Sequence, residues 1–155
     1  MVLRPEFVER KLQLITEELA RLSEFRPATY ESLVGDSLRL AAIERVLERI
    51  IVRAIDVNEH IISALATGEE GKTTRLSYRD TFLKLADYGV YPEDFASRIA
   101  PSAGLRNILI HAYNDIDHRI LYDSIHNALE QYITYVEYVR RFLMERSAGG
   151  GPAQQ

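Results

Sequence analysis

The stretch Leu105-Arg106-Asn107-Ile108-Leu109-Ile110-His111-Ala112-Tyr113 concentrates the side chains best suited to chemistry. With about 100° of rotation per residue and Arg106 set at zero, Tyr113 falls at about −20°, Ile110 at about 40°, Asn107 at about 100° and His111 at about 140°. Leu105, Ile108, Leu109 and Ala112 gather between about 200° and 300°. A helix here has one apolar face for a core and one face carrying Arg, Asn, His and Tyr. A guanidinium fork recognises phosphate or carboxylate, and an imidazole moves protons near neutral pH. The plain alternative is solvent exposure, but solvated faces are usually built from Glu, Lys and Gln. This composition fits a site or an interface.

Other arrangements carry less. Ala66–Thr73 (ATGEEGKT) is a loosened phosphate-loop pattern. A working phosphate loop joins a strand to a helix, whereas a helix precedes this one and Glu69 and Glu70 would repel phosphate, so it is rejected. Asn114-Asp115-Ile116-Asp117 is read as a helix cap. Asp123-x-x-His126 has the spacing of half a carboxylate-bridged metal site without its second half. No metal site or cofactor is expected. Asp56 and His60, one turn apart, read as a solvated surface contact. Tyr132, Tyr135 and Tyr138 read as core packing mixed with an exposed edge, or as a subunit interface.

The elements that must position these residues are helical. One helix runs from about Pro5 to Leu22, with Pro5 suited to its first turn. A second, from about Ser37 to Ala66, carries a sustained apolar stripe from Ile43 to Leu65 and is the spine, with a short helical piece possible at Tyr30–Val34. A third spans about Tyr78–Tyr88 and stops at Gly89. A fourth begins at Pro92, and Pro101 and Gly104 kink it before a short helix reaching about Tyr113. The last, about His118 to Arg146, bears the stripe Leu121, Ile125, Leu129, Tyr132, Ile133, Val136, Val139 and Leu143. No segment alternates at period two. The pattern predicts an all-α, up-and-down bundle of about five helices over residues 1–146, with 147–155 as a flexible C-terminal tail.

The chain has 155 residues, 19 basic and 23 acidic, for a net charge of −4. That length suits one domain, and the composition excludes wholesale disorder. Without cysteine there is no disulfide, thiolate metal site or thiol nucleophile. No run is apolar enough for a membrane span, and acidic residues interrupt the start where a leader would be apolar; a cytoplasmic protein without a membrane partner is expected. Mild acidity argues against non-specific DNA binding. The basic residues are 16 Arg and 3 Lys; Arg suits bidentate phosphate recognition, but GC-rich coding is the better explanation of the bias.

Arg106, four intervening residues, His111, one residue, Tyr113: this pattern resembles the signature of HepT-like proteins, the HEPN-domain ribonuclease toxins paired with minimal nucleotidyltransferase (MNT) antitoxins. Ala42-Ile43-Glu44-Arg45, Ala54-Ile55-Asp56 before His60, and Gly104-Leu105-Arg106-Asn107 are similar to that family too, and the likeness spans about Leu12 to Leu143. The resemblance implies metal-independent RNA cleavage, with the ribose 2′-hydroxyl attacking the adjacent phosphate. Arg106 and His111 are then the catalytic residues, with Asn107 supporting them at the phosphate or ribose. It also implies a homodimer whose facing motif helices form a composite site, and an MNT partner that silences the chain by AMPylation of Tyr113. The alternative is a non-catalytic nucleotide-binding or docking subunit of a nucleotidyltransferase.

Overall fold

The computed structural model describes residues 2–66, 76–105 and 115–153, excluding the side chains of 115–117 and 149–153. Six helices are defined among the described residues, and no strand: α1 (Pro5–Phe25), α2 (Tyr30–Val34), α3 (Ser37–Leu65), α4 (Tyr78–Asp87), α5 (Glu93–Ile99) and α6 (Asp115–Ala153). Residues 102–105 add a further helical turn. The all-α bundle expected from periodicity is the architecture found, and its spine is α3.

Local chemistry explains the boundaries. Pro5 opens α1 where its missing N–H costs nothing, and Pro27 ends it, since the residue before a proline avoids the helical region. Thr29 and Ser32 form a capping box that starts α2. The Asp36 carboxylate accepts from the Arg39 amide to start α3, and the Ser77 hydroxyl accepts from the Asp80 amide to start α4. At the far end of α4, Gly89 adopts φ of 79°. The Gly89 and Val90 amides return to the carbonyls of Ala86 and Leu85 at 3.0 Å each, which is a Schellman stop with buried Val90 as its apolar contact.

The 29 residues of α3 span about 44 Å. Helix α1 lies along α3 and also meets α6, α4 packs on α3, and α5 bridges α4 and α6. Val8, Leu12, Ile15, Leu19 and Leu22 of α1 bury against Ile43, Leu47, Ile50, Ile51 and Ala54 of α3 in one continuous core. From α6 come Leu121, Ile125, Tyr132, Tyr135 and Val139. Expectation and structure differ at some ends: α1 continues to Phe25 and α6 begins at Asp115 and extends to Ala153. Among the described residues no helix is long and apolar enough to cross a membrane.

Tyr132 and Tyr135 are fully buried, and Tyr138 is half-buried against the core. Of the two readings of this tyrosine row, core packing is the one the structure adopts for the first two. Their hydroxyls are satisfied inside. Tyr135 donates to Asn58 Oδ1 at 2.6 Å, with the Ala54 carbonyl at 3.1 Å. Asn58 Nδ2 donates to Thr81 Oγ1 at 3.1 Å, and Thr81 donates to the Tyr78 carbonyl at 2.7 Å. This polar chain ties α6 to α3 and α4 through the dry interior. Burial pushes the Tyr91, Tyr132 and Tyr135 phenols far above the ordinary tyrosine range, so all three stay protonated donors.

Candidate functional site

Arg106, Asn107, His111 and Tyr113 lie outside the described residues, as do residues 67–73 of the rejected phosphate-loop pattern and Asn114. What the structure shows is the frame at both ends of that segment. On the entry side, the Tyr132 hydroxyl lies 2.7 Å from Ser102 Oγ, and Ser102 Oγ donates to the Ile99 carbonyl at 2.7 Å. Because Ser102 has one proton, already given to Ile99, Tyr132 is the donor in the other bond. Ala103 and Leu105 are buried, and Gln131 Nε2 caps the Arg98 carbonyl at 3.2 Å. The turn leading into the motif is therefore fixed to the middle of α6. Leu105 occupies the core side, as the helical projection expects of the first member of its apolar face.

On the exit side, Leu121 is buried, and Arg119 stacks over the Tyr30 ring at 4.7 Å and near the Tyr122 ring at 6.0 Å. His118 and Glu44 interact electrostatically across α6 and α3. Burial raises the Glu44 carboxyl above the usual carboxylate range, and positive charge on His118 acts in the opposite sense. His118 Nδ1 is buried with no hydrogen-bond partner among the described residues.

Several side chains singled out by spacing do something else. Asp56 and His60 do not pair. Asp56 Oδ2 accepts from Lys11 Nζ at 3.0 Å, while His60 is buried, its Nε2 accepting from the Arg4 amide at 3.0 Å and its ring 4.9 Å from Phe7. Spacing along one helix could not show that α1 would supply better partners for both. His126 Nδ1 meets Arg26 at 3.2 Å rather than sharing an ion with Asp123. Among the described residues no three His, Asp or Glu side chains come together as a metal-binding group.

Sequence reasoning passed over Glu18. It is buried beneath α3, and its Oε1 lies 2.8 Å from Arg21, 3.3 Å from Arg53 and 3.7 Å from Arg49. The signal was present, since Glu18 falls on the apolar side of α1 among Ile15, Leu19 and Leu22. A charge on that face requires a partner.

The sequence profile of the family described as "Ribonuclease HepT-like" matches residues 7–139. The chain is 34% identical over 144 residues to a tRNA nuclease HepT of Aphanizomenon flos-aquae (strain 2012/KM1/D3), covering 92% of this chain and 93% of that protein. Its fold is similar to a tri-AMPylated Shewanella oneidensis HEPN toxin solved in complex with an MNT antitoxin, with a TM-score of 0.73 at 19% identity over 89% of this chain and 99% of that one. A toxin–antitoxin crystal structure with AMP-PNP matches with a TM-score of 0.72, also at 19% identity, over 88% of this chain and 98% of its counterpart.

Proposed function

The chain belongs to the HepT-like ribonuclease family, and from that premise we propose that it is the toxin of a type II toxin–antitoxin system, an endoribonuclease that cleaves RNA without a metal ion and is held in check by an MNT nucleotidyltransferase. The observation that carries this reading is the match to a tRNA nuclease over nearly the full length of both chains. The frame is consistent with it: Ser102, Ala103 and Leu105 fix the approach to the motif, and α6 receives the chain after it.

In this reaction the ribose 2′-hydroxyl attacks the adjacent phosphorus. The bond to the 5′-oxygen breaks, leaving a 2′,3′-cyclic phosphate and a 5′-hydroxyl. One group must take the 2′-hydroxyl proton and another must give a proton to the departing oxygen. His111 is suited to either role because an imidazole holds or releases a proton near neutral pH. Arg106 meets the growing negative charge on the phosphorane with two parallel N–H donors. Asn107 orients the phosphate or ribose beside them. Since each chain offers one histidine on that face, a homodimer with facing motif helices supplies the second proton carrier. AMP joined to Tyr113 would place a phosphodiester about two helical turns from Arg106 on the same line, neutralising the arginine and filling the space for RNA phosphate.

The test is digestion of total cellular RNA by the purified chain in excess chelator, beside the His111→Ala and Arg106→Ala variants. Ends bearing 2′,3′-cyclic phosphate that both variants lose are the expected result. No digestion above background by the folded, dimeric wild type would overturn it in favour of a non-catalytic nucleotide-binding or docking subunit, and equal digestion by His111→Ala would remove His111 from the chemistry.

A further inference from the structure

Outside the motif, the described residues form a differentiated cleft where the loop between α1 and α2 faces the first third of α6. Arg119, Tyr122, Asp123 and His126 follow at i, i+3, i+4 and i+7, so they share one face of that helix. Tyr122, Asp123 and His126 line a space of about 460 Å³ opposite Arg26, Pro27 and Ala28, a size ordinary for a small-ligand pocket. Tyr122 is its aromatic lining, and it is held from outside the cleft: the Tyr30 ring meets it edge-on at 5.9 Å, and the Arg119 guanidinium lies 4.7 Å from the Tyr30 ring and 6.0 Å from that of Tyr122. Its cationic wall is organised too. Arg26 Nη2 lies 3.2 Å from His126 Nδ1. A guanidinium can only donate, so Nδ1 accepts and the ring proton of neutral His126 sits on Nε2. That nitrogen faces Glu130 Oε2 at 3.6 Å. Glu130 is thus near the ring but beyond hydrogen-bond distance, and the contact that sets Arg26 at the mouth of the cleft is the one with His126.

We infer that this cleft binds one unstacked nucleotide of the RNA substrate, with its base against Tyr122 at the edge held by Arg119, its phosphate on Arg26, and an exocyclic amine of the base on Asp123. The inference deepens the ribonuclease reading and rests on it for the identity of the ligand. Tyrosine rings and arginine planes stack any base, and the remaining Arg26 donors are available to a phosphate oxygen. Asp123 decides the orientation. A carboxylate repels phosphate but accepts from the amine of cytosine, adenine or guanine. Uracil has no such amine, and at the position where cytosine carries its amine it presents a carbonyl oxygen to the carboxylate. The cleft therefore favours amine-bearing bases over uracil.

The experiment measures binding of 2′-O-methyl oligo(C), oligo(A) and oligo(U) to the full chain by fluorescence anisotropy across a salt series. These oligomers lack the attacking hydroxyl, so binding is read apart from cleavage. The variants Arg26→Gln, Arg119→Lys and Asp123→Asn change exposed side chains, and a thermal melt verifies their folding. Arg26→Gln should reduce the slope of log affinity against log salt by about 0.7, one phosphate contact on a single strand. Arg119→Lys keeps the charge and should preserve the slope while weakening binding roughly tenfold through lost stacking. Asp123→Asn should narrow the preference for oligo(C) over oligo(U). Unchanged affinity, slope and preference in all three folded variants would overturn the assignment, as would failure of the wild type to bind any oligomer. If the variants leave RNA binding intact but lose the MNT partner in a co-purification, the cleft is instead a protein-docking surface. If they alter oligomer binding as expected while native RNA is never cut, the cleft stands and the ribonuclease reading fails.

Discussion

Glu18 is the clearest case of a single side chain organising its surroundings. Its Oε1 faces Arg21, Arg49 and Arg53 while its Oε2 is buried without a partner among the described residues. Those arginines are partly exposed, so the cluster is bathed by water on one side and dry on the other. Glu18→Ala removes the acceptor and leaves three like charges converging on a cavity; we expect a loss of about 2 kcal/mol in urea unfolding. Glu18→Gln keeps the shape and should recover part of it. His60 provides a pH-dependent contrast. Burial, then the neighbouring Arg4 charge, hold its imidazole below the ordinary value of 6.5, against a weaker opposing effect of Glu6. The unfolded chain therefore takes the proton first as pH falls. The contribution of neutral His60 to stability is complete above about pH 6.5 and declines as pH drops from there toward the lowered folded value. Comparing melting temperatures of wild type and His60→Gln from pH 7.5 to 5.5 checks this: the wild type should lose more on acidification, and parallel curves would exclude the assignment.

At the scale of elements, the hydrogen bond from Tyr132 to Ser102 connects the middle of the last helix to the turn entering the motif. Tyr132→Phe removes only the hydroxyl. The expected stability cost is about 1 kcal/mol, with a decrease in RNA cleavage larger than the unfolded fraction accounts for, measured as cleavage rate against Tm. Cleavage tracking stability alone would make this bond purely structural. Helix types and most boundaries were legible beforehand because apolar spacing, Pro5, Pro27, Gly89 and the cap residues are local signals. The burial of Leu105, the first residue of the predicted apolar face, was legible for the same reason. What escaped were contacts between residues far apart in the chain: Ser102 with Tyr132, Asn58 with Thr81 and Tyr135, Glu18 with Arg49 and Arg53. A serine or asparagine on a helix shows no partner until the packing of another helix supplies it. Asp56 turns to Lys11 and His60 to the Arg4 amide for the same reason, since spacing along one helix carries no information about the segment packed against it. The family itself was legible by resemblance, since the quoted residues lie within the stretch 7–139 that its profile matches.

For the whole molecule, the proposed composite site would make activity a property of the assembly. If facing motifs from two protomers complete it, the cleavage rate per chain should fall steeply when the protein is diluted below its dimer dissociation constant; a rate per chain that stays constant while sedimentation shows monomers would exclude a shared site. The proposed regulation by an MNT partner gives a second prediction at this scale. Tyr113→Phe should retain cleavage yet remain toxic in cells that co-express the MNT protein, and mass spectrometry should find no AMP on it. AMP attached to the same extent in this variant would place the acceptor elsewhere. The buried chain from Tyr135 through Asn58 and Thr81 to the Tyr78 carbonyl has a consequence of another kind. Each side chain donates to the next in one direction, Tyr135 to Asn58, Asn58 to Thr81 and Thr81 to the Tyr78 carbonyl, so losing any one strands a neighbour in a dry interior. Three positions separated by 77 residues at the extremes are thus constrained to drift as a set: natural variants should keep all three polar partners together or replace them all with hydrocarbon, and halfway combinations should be rare.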